Sequence, residues 1–443
     1  MRARLRSLLT LLAKHVAVAW RLGWWLVAHL LPREETRWVF SAHDGQAFEG
    51  NPKYLYLYAA QEGGAVDAVW IGTPEVVESL RAAGYCAYER DSLRGRYEVL
   101  RAGVVFGSHY IDVPWVYTGG ATVVQLWHGN GIKRLGRLRD RDDTSPLSRL
   151  LPRFVFWNWE YLVTTAPGEP TARMIECFDL DRSQVLATGY PRTDALFESI
   201  QDADVAPETD SYDWIASLAD QRTIVSYVPT FRKNYGTDYG TPFGEAGLDF
   251  ERLDRLCDAE GAALLVKLHP QEEYDPAIAD YDHVHVLPQG LDLMPILKHT
   301  DVLVTDYSSA YMDFLLLDRP VVFYAYDREA YVEQTGLYFE YEAVTPGPVV
   351  ETGDGLVETL RRTLRGDDAY RDARADLRER FYAHGDGNAS KRLFDSILRA
   401  VEADDRMTDV DSDSDETTAE GDSSAARAKR DEEAHATQVG GGN

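Results

Sequence analysis

Three apolar runs in this chain end on residues that could do chemistry: QLWHGNGIKRLG at 125–136, VKLHP at 266–270 and VTDYSS at 304–309. The imidazole of His128 could take a proton from an attacking hydroxyl near neutral pH, and Gly129 behind it allows a tight turn or close approach of a ligand. Lys133 and Arg134 follow as cations suited to anionic groups of a substrate. At the second run, Pro270 stops a central strand, and Lys267 has the same strand parity as His269, so the two can share a face toward phosphate. At the third, a buried strand runs into Asp306, and Ser308 and Ser309 open a helix. Free backbone N–H groups at a helix start can seat phosphate, with the hydroxyls adding donors, although the same hydroxyls can simply cap the helix. Asp306 is expected to order this loop, since two anions repel. Arg192 in GYPRTD and Arg232, beside Lys233, in YVPTFR end strands next to proline turns, where a planar guanidinium can clamp phosphate. Gly387 and Asn388, followed by Lys391 and Arg392, offer another turn into a helix. For each residue alone, a sheet-edge hydrogen bond or a surface salt bridge is the competing reading.

The elements that must position these groups read as alternating strand and helix. RWVFSAHDGQAFEGNPKYLYLYAA is strand, loop, helix; VDAVWIG, YEVLRAGVVFGSH, TVVQLWHG, EYLVTTAP and SQVLATGYPR continue the pattern. A polar, acidic stretch near 198–220 is a plausible crossing, after which TIVSYVPTFR, AALLVKLHP, HVHVLP, DVLVTDYSS and PVVFYAY give successive strands. This grammar predicts an α/β chain with mostly parallel sheets in two halves, 37–200 and 221–397. Ligands of such sheets bind at the carboxyl ends of strands, where the three opening stretches fall.

The flanks differ. Residues 1–32 are basic at the start, then apolar, but Lys14, His15 and Arg21 interrupt them, so no clean span of twenty apolar residues exists. Trp20, Trp24 and Trp25 suit a headgroup boundary and Arg2, Arg4 and Arg6 an anionic surface, which favours an interfacial helix over a span or a packed helix. Residues 401–443 carry 13 acidic and 4 basic residues and are expected to be a disordered, solubilising tail. The formal net charge of -27 argues against a nucleic-acid partner. Only 8 of the 46 basic residues are lysines, a balance that fits a protein soluble in high salt. Cys86, Cys177 and Cys257 form no CxxC pair, and no GxxxxGK[ST] or HExxH motif occurs. Neither a structural zinc site, a disulfide framework nor a P-loop is implied.

Together, QLWHGNGIKRLG, GYPRTD, YVPTFR, VKLHP, VTDYSSAYMDF, HGDGNAS and the early FSAHDGQAFEGNPKYLYLY resemble the CDP-glycerol glycerophosphotransferase family, the teichoic-acid primases and polymerases, over about residues 37–397. The resemblance implies a GT-B-like fold of two Rossmann-like domains with the active site in the cleft between them. It also implies transfer of a polyol phosphate from CDP-glycerol or another CDP-polyol to a hydroxyl of a lipid-linked or glycan acceptor, with release of CMP. By the same resemblance His128 is the base and His269 bonds the donor phosphates. Arg232, Lys267, Ser308, Ser309 and Asn388 fall on the donor side. Asn130, Lys133, Arg134, Arg192 and Asp194 fall on the acceptor side. Asn130-Gly131 and Thr193 stand where the family often has Thr-Pro and Asn, which bears on acceptor or polyol identity. No cofactor is required, and a divalent metal is left open. Many family members sit peripherally on the cytoplasmic membrane face, which would give residues 1–32 a role. The rival readings are a GT-B glycosyltransferase using a nucleotide sugar and a non-catalytic membrane-associated scaffold.

Overall fold

A computed structural model describes residues 20–62, 64–110, 112–138, 158–203, 205, 210–230, 248–268 and 281–403. Arg232, His269, residues 1–19 and all but the first three residues of the acidic segment 401–443 lie outside the described residues.

Two parallel sheets organise the chain. The first has seven strands: β1 (Glu34–Phe40), β2 (Asp67–Gly72), β3 (Ala87–Glu89), β4 (Ala102–Gly107), β5 (Thr122–Gln125), β6 (Tyr161–Val163) and β7 (Val185–Leu186), in the order 3-2-1-4-5-6-7. The second has six: β8 (Thr223–Tyr227), β9 (Ala262–Val266), β10 (Val284–Val286), β11 (Val302–Thr305), β12 (Val321–Tyr324) and β13 (Val349–Val350), in the order 10-9-8-11-12-13. Strands β9, β11 and β12 are buried along their whole length on both faces, as parallel sheets covered by helices require. Register is fixed by pairs such as Val39↔Val105, Val104↔Thr122 and Val304↔Tyr227. The two-residue strand β13 and the three-residue β3 are not among the strands read from the sequence.

The order of strands matters for function. In the first sheet the winding reverses between β1 and β4; in the second it reverses between β8 and β11. Loops on either side of such a switch point diverge and leave a crevice at the carboxyl ends.

Helices close on local signals. Asp249 accepts from Arg252 N at 3.0 Å to start Phe250–Glu260, and Gly261, at φ 65°, ends it in the left-handed conformation. Within the acidic stretch expected to be a crossing, Asp210–Ala219 forms a helix. Its Ile215 is buried with Ile224, Ala263, Leu265, Leu287, Leu291 and Ile296. One apolar stripe was enough to dock it on the second sheet despite its polar outer face.

The chain through Leu393 is one compact unit, and residues from Phe394 form another. Within the first unit the two sheets share a core. Tyr54, Ile132, Ala195 and Leu196 pack with Leu297, Tyr307, Tyr311 and Phe314. A buried ion pair crosses the same boundary: Lys53 Nζ lies 2.9 Å from Asp292 Oδ2, and Tyr54 Oη donates to the same oxygen at 3.0 Å.

Of the apolar N-terminal segment, residues 20–29 are helical. Trp25 donates from Nε1 to Asn158 Oδ1 at 3.3 Å, whereas Trp20, Trp24, Leu26 and Leu30 are exposed. Arg33 fastens the end of the segment by donating to Val99 O and Tyr117 O at 2.8 and 3.1 Å. Among the described residues no helix is long and apolar enough to cross a membrane.

Candidate active site

The site begins with a sharp bend at the end of β5. Trp127 adopts φ 56°, rare for a bulky residue, and Gly129 adopts φ 129°. Strain of this kind persists only where surroundings enforce it. Gln125 enforces it from below: its Oε1 accepts from Trp127 N at 2.9 Å while its Nε2 donates to His109 O at 3.3 Å. Asn51 enforces it from the side, donating to Leu126 O and Trp127 O at 3.0 and 2.8 Å. The same side chain accepts from Arg192 N at 3.2 Å, so one buried amide ties the WHG bend to the GYPRTD loop.

His128 is thereby presented outward. Its Nδ1 lies 3.0 Å from the Ser108 carbonyl, which can only accept, so Nδ1 carries the proton and Nε2 is left as the basic nitrogen. The ring is packed between Trp127, 4.4 Å away, and His109, 4.6 Å away and 3° from parallel. The residue is exposed to solvent. Crowding by protein atoms, then the neighbouring charges of His109, Arg192 and His43, push its pKa down from 6.5 to about 3, against the Ser108 hydrogen bond. A neutral imidazole with a free nitrogen facing a cleft can take a proton.

Gly129 brings the second sheet close. A β-carbon there would sit 2.5 Å from Arg192 Nη2 and 3.0 Å from Ser309 Oγ. Arg192 is fixed in that gap: Nη1 donates to His128 O at 2.9 Å and Nη2 pairs with the buried Asp313, whose other oxygen accepts from Tyr382 Oη at 2.8 Å. Ser308 and Ser309 lead into the short helix Ala310–Phe314, with Ser308 Oγ accepting from Ala310 N at 3.3 Å. Asp306 accepts from Thr230 N at 2.9 Å, Thr230 Oγ1 at 2.6 Å and Tyr307 N at 2.5 Å, which joins the ends of β8 and β11. It orders the loop, as its charge suggested.

Other predicted residues fall further out or are used differently. Lys267 is buried, and its Nζ donates to Gln289 O at 2.8 Å and Leu268 O at 3.3 Å. Asn130 donates to Thr165 Oγ1 at 2.8 Å from a buried position. Asp194 spends both carboxylate oxygens on Ala389 N and Ser390 N at 2.8 Å, starting the last helix, so it joins GYPRTD to HGDGNAS rather than facing the cleft. Asn388 is exposed and donates to Asp386 O at 2.7 Å in that turn. Lys133 and Arg134 line a cavity of about 830 Å³ with Arg328, Glu329, Glu333 and Tyr341. Lys133 Nζ lies 5.5 Å over the Tyr331 ring, which stacks on Tyr307 beside the serines at 3.8 Å.

Two functional candidates went unnoticed in the sequence. His43 follows β1 and His109 follows β4, just as His128 follows β5, and β1, β4 and β5 are neighbours. The signal was present: SAHDG and FGSH both set a histidine after an apolar strand, as QLWH does.

Comparisons with known proteins bear on this arrangement. A family model described as CDP-glycerol:poly(glycerophosphate) glycerophosphotransferase matches residues 25–399. A teichoic acid glycerol-phosphate transferase of Staphylococcus aureus is 25% identical over 375 residues, 81% of this chain and 92% of that protein. A teichoic acid glycerol-phosphate primase of Bacillus spizizenii is 29% identical over 309 residues, 68% of this chain and 75% of that one. The teichoic acid ribitol-phosphate polymerase TarL of S. aureus is 28% identical over 318 residues, 70% of this chain, which spans only 53% of the polymerase. Among solved structures, the wall teichoic acid polymerase TagF matches with a TM-score of 0.69 at 21% identity, over 88% of this chain and 96% of that one. A UDP-GlcNAc 2-epimerase from Neisseria meningitidis matches with a TM-score of 0.50 at 13% identity, over 82% of this chain and 99% of the epimerase. Both structural likenesses speak to the fold, two parallel-sheet halves of GT-B type. Because the family match runs through both sheets and every strand-end motif described above, the chain belongs to the CDP-glycerol:poly(glycerophosphate) glycerophosphotransferase family.

Proposed function

We propose that this protein transfers a polyol phosphate, glycerol phosphate by default, from a CDP-linked donor to an acceptor hydroxyl and releases CMP, in the synthesis of a teichoic-acid-like surface polymer. The observation that carries this reading is the outward, neutral Nε2 of His128, set across Gly129 from Ser309. Phosphoryl transfer needs an in-line hydroxyl and donors for the charge on the equatorial oxygens. His128 takes the hydroxyl proton as the oxygen attacks the β-phosphorus of the CDP-polyol, the phosphorus attached to the polyol. The bond from that phosphorus to the bridging oxygen breaks, and CMP leaves with the bridging oxygen. Ser308, Ser309, Arg232 and His269 are the donor-side groups, and Arg192 holds the loop carrying the base. CMP leaves as a stable phosphate anion, so no strong general acid is needed.

Family membership, and relatives named as glycerol-phosphate and ribitol-phosphate enzymes, support a CDP-polyol donor without choosing the polyol. A panel of CDP-polyols and nucleotide sugars, with host lipid extract as acceptor, tests it. Acceptor-dependent CMP from one CDP-polyol is expected; nucleoside diphosphate from a nucleotide sugar, with no CMP, would establish a glycosyltransferase instead.

The acceptor is proposed to be lipid-linked, with the protein peripheral on the cytoplasmic membrane face through residues 1–32. Exposed Trp20, Trp24, Leu26 and Leu30 support that placement. Co-flotation with anionic vesicles should be lost in a Trp20→Ala, Trp24→Ala double variant; equal flotation of both proteins would sink the idea.

A further inference from the structure

Behind His128 lies a row of imidazoles that the proposed chemistry does not use. The His43 ring lies 4.3 Å from that of His109, which in turn lies 4.6 Å from and parallel to that of His128. All three follow the carboxyl ends of adjacent strands β1, β4 and β5 and straddle the switch point of the first sheet.

His43 and His109 each stand beside a carboxylate, and His109 Nδ1 also lies 3.0 Å from Ser108 Oγ. Glu49 occupies the N-cap position of the helix Gly50–Gln61 but makes no side-chain capping bond; its Oε1 lies instead 2.6 Å from His43 Nε2. Asp112 is buried and accepts from the backbone N–H groups of Ser108, His109 and Asp44 at 2.6, 2.8 and 3.0 Å. That one carboxylate joins the His43 loop to the His109 loop; it also accepts from Ser108 Oγ at 3.2 Å and lies 3.7 Å from His109 Nδ1. The His43 loop takes three successive positive φ values, 47°, 57° and 81° at His43, Asp44 and Gly45, a costly conformation for the first two. Simple packing against His128 would ask only for an apolar ring. Here two titratable rings, each beside a carboxylate, stand in file behind a third that has no carboxylate partner.

We propose that His109, backed by His43, is a positioning residue for the base: the stack fixes the plane of the His128 ring and keeps Nε2 unprotonated and open to the acceptor. This rests on the reading of His128 as the base. The physical cause is repulsion between neighbouring cations. Burial opposes charge on His43, but the hydrogen bond and charge of Glu49, with Asp112, outweigh it and raise its pKa, so His43 takes a proton before His128 does. Asp112 is itself pulled down to about 2 by His109 and the backbone N–H groups, despite burial, and stays anionic. The titratable and charged groups facing His128 are His109 with Asp112 from the end of β4, His43 with Glu49 from the end of β1, and Arg192 with Asp313 from the GYPRTD loop and the helix Ala310–Phe314. As pH falls His43 charges first and delays protonation of the base.

The test uses the full chain with 13C-labelled histidine rings, His128 assigned by its loss in His128→Gln. In His109→Phe, which keeps a ring in the stack but cannot charge, the His128 midpoint should rise by about one pH unit, since the repulsion that lowers it is removed. The acid limb of CMP release should move up with it. His109→Ala, which empties the stack, should lower kcat about tenfold with little change in donor KM, as misplacement of a reacting group does. An unchanged His128 midpoint in His109→Phe, or wild-type kcat and pH profile in His109→Ala, would overturn the proposal. Full CMP release by His128→Gln would instead remove His128 as the base, and the titration would still decide whether the stack controls its protonation.

Discussion

At the residue scale, the centre of the account is a histidine whose role depends on the glycine after it. His128 was legible because a histidine that ends an apolar strand in an α/β chain stands where ligands bind. Its two neighbours carried the same signal, yet their nearness to it was not legible. That nearness depends on β1, β4 and β5 being adjacent, and strand order is not written in local pattern. Gly129 was singled out for permitting close approach, and the structure names what approaches: Arg192 and Ser309. Substituting Gly129→Ala should therefore damage the site twice, by forcing φ 129° on a residue with a β-carbon and by pushing that carbon against a guanidinium pinned by Asp313. The expected result is a loss of CMP release on the order of 100-fold, from a shift of about 1 Å in the base. Thermal melting should fall as well, because Gly129 is buried and both effects strain the folded state. Wild-type turnover would show that the close approach is not required.

At the element scale, strands and helices with clear periodicity could be read, and their partners could not. Asp194 shows the difference. Its place in GYPRTD suggested a role toward the acceptor, but a carboxylate three residues after a proline turn can equally cap a helix that arrives much later in the chain. The helix Asp210–Ala219 shows the converse: Asp210, Ser211, Asp213 and Ser217 are acidic or polar, and buried Ile215, with Tyr212, Leu218 and Ala219 packed beside it, overrides them. Lys53 and Asp292 had no sequence signal at all, being 239 residues apart. Their pair links the helix Gly50–Gln61 to the start of Leu293–His299, where Asp292 Oδ1 also accepts from Met294 N at 3.2 Å. Burial would raise the pKa of Asp292, but the charge and hydrogen bond of Lys53 win and lower it. Its stabilising contribution is thus complete above the ordinary carboxylate range and is lost as pH falls through the lowered value. Replacing Lys53→Met leaves a buried carboxylate without its cation and should cost about 3–5 kcal/mol in urea unfolding near neutral pH. A change below about 1 kcal/mol, the size of an exposed pair, would mean that water reaches Asp292 and that the boundary between the sheets is looser than its packing suggests.

At the scale of the whole molecule, the two parallel sheets followed from the alternating grammar, and family membership from several motifs in order. Charge is the property that no local element explains. With 73 acidic against 46 basic residues, the folded chain repels itself, and added salt should relieve that repulsion. The melting temperature is expected to rise by several degrees between roughly 0.1 M and 1 M KCl, where the Debye length falls from about 10 to about 3 Å. A flat profile would assign the acidic surface to solubility alone.

Polyol phosphate transfer by this protein depends, in the proposal above, on His128 acting as the base. The direct measurement is single-turnover reaction of CDP-glycerol with lipid extract, following CMP and the new phosphodiester together, for the native protein and His128→Ala. The account expects one CMP for each phosphodiester formed, and a rate at least about 100-fold lower in the variant, the usual contribution of a positioned base. Equal rates in the two proteins, with the variant still folded, would contradict it.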